Sequence, residues 1–329
     1  MTRNPAGISR LAAQKNRINV PRGARKAAPT NARVSPDLYL APRQFCCACR
    51  ALGKINGTAG PHPHAVAAQV NKTMYKVLLV LASATALKRP SHAALKVRGG
   101  ELGLNAETAI NVGTGLMGVA GAYTVIDPAG NLDKYGVSRP DASAVNMMAW
   151  AGGWQVALAA IYAADSEKAV GLSGYIAAWT LLAQSRVSDV MGGPKASTYI
   201  WTAICAALGY KTLRDDLSPW PLVAVWTLNG IQQHFMRDQC LEMYGCNKQS
   251  ALGKAMMGVS GQSMLMGAAY LIALTKGKSQ AEAFGISWAV GGALVAKFAI
   301  TEADDLKVPK TGPLVWAVIS AGIAYACLK

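Results

Sequence analysis

Acidic residues are almost missing from the first hundred positions. Residues 1–100 contain 17 Lys and Arg and a single acid, Asp37, whereas residues 101–329 contain 16 basic and 16 acidic residues. The net charge of +16 therefore resides wholly in the first third. The neutral remainder has no surplus charge to set against phosphates, which excludes a basic nucleic-acid-binding protein. Charge is scarce overall, at 15% of residues against 52% hydrophobic, where a soluble domain carries about 25% charged residues. That balance points to a membrane protein. Catalytic signatures are missing too: there is no G-x-G-x-x-G after a strand, no P-loop, no H-E-x-x-H, and no G-x-S-x-G with plausible triad partners. Beyond residue 100 the only histidine is His234. No carboxylate falls at the middle of an apolar run, which argues against a proton-coupled pump.

Residues 1–73 are rich in Arg, Lys, Ala, Pro and Asn and show no apolar period. Such a segment buries too little surface to offset its ordering entropy. It reads either as a cleaved transit peptide or as sequence upstream of the true start. Met74-Tyr75-Lys76 then opens a short cationic region, followed by the apolar run Val77–Leu81 and the A-x-A site Ala82-Ser83-Ala84. A run of about a dozen residues is too short to span a ~30 Å hydrocarbon core, so a signal peptide is expected rather than a first membrane helix. Residues 1–100 are thus expected to form a basic leader that is removed. Cys46, Cys47 and Cys49 lie inside it and lack metal-ligand spacing. Cys240 and Cys246 share one loop and could pair or stay free, while Cys205 and Cys327 fall in apolar stretches.

After residue 100, apolar runs recur at about 105–126, 143–164, 168–187, 196–213, 218–236, 252–275, 280–299 and 311–328. Each approaches the ~20 residues of a spanning helix. Their Ala and Gly content suits close helix packing. The expected fold class is an all-α membrane protein of about eight transmembrane helices.

The runs also repeat. Leu132-Asp133-Lys134-Tyr135-Gly136 returns 109 residues later as Leu241-Glu242-Met243-Tyr244-Gly245, and Met147-Met148 as Met256-Met257. The offset grows to 111 (Gly174 and Gly285, Arg186 and Lys297), then to 115 (Pro194-Lys195 and Pro309-Lys310, Trp201 and Trp316, Tyr210 and Tyr325). Residues 101–213 and 214–329 are therefore expected to be two four-helix repeats. Because four is even, the repeats run parallel, with both Tyr-Gly loops on one side of the bilayer. Lys and Arg on the two sides number nine and six, a weak bias for the Tyr-Gly side being cytoplasmic or stromal.

The leader, with its basic Lys88–Gly100 stretch after the signal-like segment, resembles the bipartite plastid-targeting leaders of algae with complex plastids. It departs from them in having Thr85 where an aromatic residue usually follows the cleavage site. The resemblance implies a plastid membrane, thylakoid or envelope. A mitochondrial inner membrane or secretory-pathway membrane remains open. Each half, with its long loop carrying an acid and Tyr-Gly between the first two helices, resembles the DoxX-like four-helix membrane proteins. That resemblance is one of architecture and carries no catalytic residue across.

Few groups can carry chemistry. His234, beside Gln232 and Gln233, could ligate a pigment such as chlorophyll through a neutral imidazole, or be hydrogen-bonded at the interface. Its repeat-related neighbourhood, Tyr123-Thr124-Val125, holds no second ligand. The loop positions Asp133, Tyr135, Gly136, Glu242, Tyr244 and Gly245 could contact a partner, or fold a turn in which the carboxylate caps a helix and Gly takes positive φ. Asn146, Asn229, Gln155 and Gln262 could link helices, line a path or ligate pigment. The paired Glu–Arg helices of light-harvesting proteins are missing. The function expected is a non-catalytic integral membrane protein embedded in the lipid bilayer. Chlorophyll or carotenoid is a candidate cofactor and a photosynthetic membrane complex a candidate partner. The alternative is a small-molecule transporter built from the two repeats.

Overall fold

The computed structural model describes residues 105–329 except 191, 247 and 248. The expected leader lies outside the described residues. The described chain is all helical. Eight longer helices are α1 (Ala106–Ile126), α3 (Ala142–Ala163), α4 (Ala169–Val190), α5 (Lys195–Leu213), α6 (Trp220–Phe235), α8 (Ala251–Thr275), α9 (Gln280–Thr301) and α10 (Thr311–Leu328). Two short ones, α2 (Pro128–Lys134) and α7 (Arg237–Met243), follow α1 and α6. All eight apolar runs fold as helices, with every limit within three residues of the expected one.

Helix starts follow capping chemistry. Asn105, Asp127, Asp141 and Ser250 each accept a hydrogen bond from a backbone N–H of the following first turn. Ser279 and Glu282 form a capping box at α9. Pro194 is the N-cap of α5, and Pro128 occupies the first turn of α2.

Five helices, α1, α3, α8, α9 and α10, are long and apolar enough to cross a membrane, which identifies an integral membrane protein of the helical class. The expectation of eight spans exceeds that number for physical reasons. α6 has 16 residues, about 24 Å at 1.5 Å each, against a ~30 Å hydrocarbon core. α4 carries Gln184, Ser185, Arg186, Ser188 and Asp189 in its last turns, and α5 has a lysine near each end.

α3 and α8 form the central seam. At one end their N-caps meet: the Ser250 hydroxyl donates to Asp141 Oδ1 at 3.1 Å, and the Ser250 N–H donates to Ser143 Oγ at 3.2 Å. In the second turn of each helix, Met147, Met148, Met256 and Met257 share one cluster with Leu132 and Leu241. At the far end Tyr162 stacks edge-on to Tyr270 at 5.1 Å. Glycines bring the flanking helices close. A Cβ on Gly121 of α1 would lie 2.8 Å from Gln155 Cβ and from the backbone of α3, and one on Gly261 of α8 would lie 2.5 Å from the backbone of α6. α1 packs on α3 and on α10, α6 packs on α8 and on α5, and α4–α5 and α9–α10 are tight pairs.

Candidate functional site

Two cavities flank the seam. The larger, about 370 Å³, lies between α1 and α10. Its walls are Leu116–Thr124 of α1, Asn131 and Leu132 of α2, and Pro313, Trp316 and Ser320 of α10. Trp288 and Phe298 of α9 and Met148 and Gln155 of α3 line it from behind, with Met256, Gln262 and Met266 of α8. α1 and α10 touch at their other ends, where Ala109 and Ile110 share a cluster with Ala326 and Cys327. The pair therefore meets at one end and parts at the other, and the cavity opens sideways beside the exposed Leu116 and Val119. The smaller cavity, about 100 Å³, lies between α5 and α6. Trp150, Trp154 and Trp226 crowd it, and Asn229, Gln233, Cys240, Tyr244 and Cys246 also line it.

His234 is the penultimate residue of α6 and is buried, 4% exposed, in the wall of the larger cavity. Its Nδ1 lies 2.9 Å from the Gly258 carbonyl oxygen. A carbonyl only accepts, so Nδ1 carries the proton and Nε2 presents its lone pair. Among the described residues Nε2 has no hydrogen-bond partner, nor do Gln155 Oε1 and Trp288 Nε1, which line the same cavity. A neutral imidazole with a free Nε2 fits a ligand to a metal-bearing pigment, or an acceptor for a hydroxyl.

Below His234, Arg237 of α7 donates from Nε to the His234 carbonyl at 3.0 Å. Its two terminal nitrogens grip Glu302 bidentately, one of them at 3.1 Å, and Lys297 reaches the same carboxylate at 3.1 Å. Burial pushes the Glu302 carboxyl up, but the Arg237 and Lys297 cations outweigh it and hold the group below the usual glutamate value.

The Tyr-Gly loops close the same side of the bundle. Trp316 Nε1 donates to the Tyr135 hydroxyl at 2.8 Å, and Trp201 is hydrogen-bonded to the Tyr244 side chain. Burial raises the Tyr135 phenol and the Trp316 bond partly offsets it. Gly136 has φ 78° and Gly245 φ 70°, the left-handed region that glycine enters without a Cβ penalty. Asp133 and Glu242 are exposed in the last turns of α2 and α7. Among the described residues the adjoining helices are capped by Asp141 and Ser250 instead.

The amides divide between tasks. Gln262 donates to the Gly291 carbonyl at 3.2 Å, joining α8 to α9, and Gln184 donates to Trp150 at 2.7 Å, joining α4 to α3. Asn229 donates back to Val225 of its own helix at 2.9 Å while lining the smaller cavity. Asn146 is half-buried near the start of α3. Cys205, Cys240, Cys246 and Cys327 are buried and free. Burial pushes the Cys240 thiol up to about 12, which leaves it inert. Among the described residues no three metal-ligating side chains come together.

Sequence reading singled out His234 and Gln155 but not Trp288, nor the Arg237–Glu302 pair, whose 65-residue separation leaves no local signal. Comparison with family models, with curated proteins and with solved structures finds no match.

Proposed function

We propose that the chain is a non-catalytic integral membrane protein of a plastid membrane, built as two parallel four-helix repeats that cross the bilayer eight times. In this reading it serves as an accessory subunit of a larger membrane complex such as a photosystem. The leader motivates the destination. The observation that carries the non-transporting, non-catalytic role is the central seam. α3 and α8 meet at Asp141–Ser250, in the methionine cluster and at Tyr162–Tyr270. Both cavities lie to the side of that seam.

Several features support the parallel repeat. At offset 109 the N-caps Asp141 and Ser250 correspond, as do the positive-φ residues Gly136 and Gly245. At offset 115, Gly192 and Lys307 both have positive φ, and the backbone bond from Gly193 to Ser188 returns as that from Val308 to Ala303. The Tyr135–Trp316 bond and the Tyr244–Trp201 bond each cross from one half to the other. The cavity walls correspond as well: Leu132, Tyr135 and Met148 to Leu241, Tyr244 and Met257, and Trp316 and Ser320 to Trp201 and Cys205. α4 and α5 pack on α6 as α9 and α10 pack on α1. Helices matched in this way occupy the same slab of bilayer, which brings the three more polar helices into the membrane.

Native-gel separation of gently solubilised source membranes, with mass spectrometry of each slice, tests the role. The expected result is migration with a large complex and a mature N-terminus between residues 85 and 101. Migration alone, with solute flux into proteoliposomes that is lost on changing Asn229, would overturn it in favour of a transporter.

A further inference from the structure

The larger cavity has the makings of a ligand site that none of the repeat arguments requires. It is about 370 Å³, more than twice the ~150 Å³ engineered cavity that takes benzene in another protein. Its lining is mainly apolar and aromatic, with Lys134, Arg237 and Asn131 among it, and the methionine sulfurs of Met148, Met256 and Met266 suit a ring of adaptable position. Three residues of that lining carry an unpartnered polar atom: an acceptor on His234, an acceptor on Gln155 and a donor on Trp288. Trp288 is fully buried and His234 nearly so. Leaving such atoms unpaired costs roughly 1–3 kcal/mol each, so a ligand that pairs with them gains by it. Trp288 lies ten residues from Phe298 on α9, so the cavity runs about 15 Å along that helix at 1.5 Å per residue.

We propose that this cavity binds a neutral, lipid-soluble phenol carrying a hydrocarbon tail. The ring lies among the methionines. Its hydroxyl donates to His234 Nε2, whose lone pair is left free because Nδ1 gives its proton to the Gly258 carbonyl. The indole N–H of Trp288 donates to a second oxygen where the ligand has one. The tail leaves sideways between α1 and α10, past Leu116 and Val119. Two cations also line the cavity: Arg237, committed to Glu302, and Lys134, whose ammonium lies 3.9 Å over the Tyr123 ring. This inference stands apart from the cellular location and from the accessory role.

The test uses the full chain in lipid nanodiscs, with para-dodecylphenol and its methyl ether as probes. The two share ring and tail and differ in the hydroxyl hydrogen. Saturable binding is expected, with the phenol about tenfold tighter than the ether. His234→Phe should abolish that preference while leaving the ether's affinity unchanged. Ala120→Trp, which fills the cavity from α1 and leaves all three polar atoms in place, should block both probes. Equal binding of phenol and ether, a preference that survives in His234→Phe, or unchanged binding in Ala120→Trp would each overturn the proposal. If His234→Phe does not fold, the phenol-to-ether ratio of the unaltered chain and the Ala120→Trp result decide it.

Discussion

In the smaller cavity Trp154 meets Trp226 edge to face at 5.5 Å and Trp150 at 6.3 Å. In the larger one, the positions at the same register hold Ser263, Met117 and Val259. Elsewhere the frames agree: the turns, the N-caps and the Tyr–Trp bond recur in both halves. Larger side chains at these three positions accompany a cavity of about 100 Å³, and smaller ones a cavity of about 370 Å³. The polar inventory diverges along with the volume. His234, Arg237 and Glu302 sit at the end of α6, whereas Val125 and Pro128 occupy the matching end of α1. Residues with unpaired polar atoms line both cavities: Trp154 and Trp226 in the smaller, His234, Gln155 and Trp288 in the larger.

The largest effect should come from emptying the wall of the smaller cavity. Trp154→Ser, which installs the residue found at the matching position of the larger cavity, should cost about 3–5 kcal/mol of stability through lost burial and a new void. Detergent-denaturation midpoints check it. The reciprocal Ser263→Trp should shrink the larger cavity and cost less, about 1–3 kcal/mol from overpacking. Equal costs would mean that the sides differ in more than volume.

Next comes the Arg237–Glu302 ion pair. Arg237→Ala leaves Glu302, about a fifth exposed, with Lys297 as its remaining cation and should cost about 2 kcal/mol, below the 3–5 of a fully buried pair. The folded-state value of Glu302 is depressed, so its contribution is complete above the usual 4.5 and is lost as pH falls below that through the lowered value. The stability of the unaltered chain should therefore fall in that acid window, and that of Glu302→Gln should fall less steeply.

The shared frame offers a finer comparison. Tyr135→Phe and Tyr244→Phe each remove one hydrogen bond to a tryptophan of the other half and should cost about 1 kcal/mol alike. Smaller still is the difference between two turn glycines. Both have positive φ, but a Cβ on Gly136 would meet Pro309 at 2.6 Å, while one on Gly245 meets nothing closer than 4.0 Å. Gly136→Ala should thus be the more damaging by a few tenths of a kcal/mol or more, on top of the ~1 kcal/mol common to both.

The helices were legible because each apolar run is long, and several start at a capping side chain or a proline. The short α2 and α7 were not, since seven residues give no helical period, although Asp127-Pro128 does mark the start of α2. The Tyr-Gly loops stood out by repetition, but their partners Trp316 and Trp201 could be assigned only once the chain had brought the two halves together. His234 was visible as a lone histidine. Its free Nε2 was not, because that depends on the Gly258 carbonyl 24 residues away and on the space that α1 and α10 leave between them. Trp288 looked like any tryptophan in an apolar run until α9 placed it at the back of the cavity.

The parallel repeat is the centre of the account, and membrane sidedness tests it most directly. Asp133→Cys and Glu242→Cys would be placed at the two Tyr-Gly loops, and Lys168→Cys and Lys278→Cys at the opposite helix turns. Each would be made singly, with the native cysteines replaced, and labelled in sealed vesicles with a membrane-impermeant maleimide. The account predicts that Asp133→Cys and Glu242→Cys label from one side, and Lys168→Cys and Lys278→Cys from the other. Labelling of Asp133→Cys and Glu242→Cys from opposite sides would contradict it.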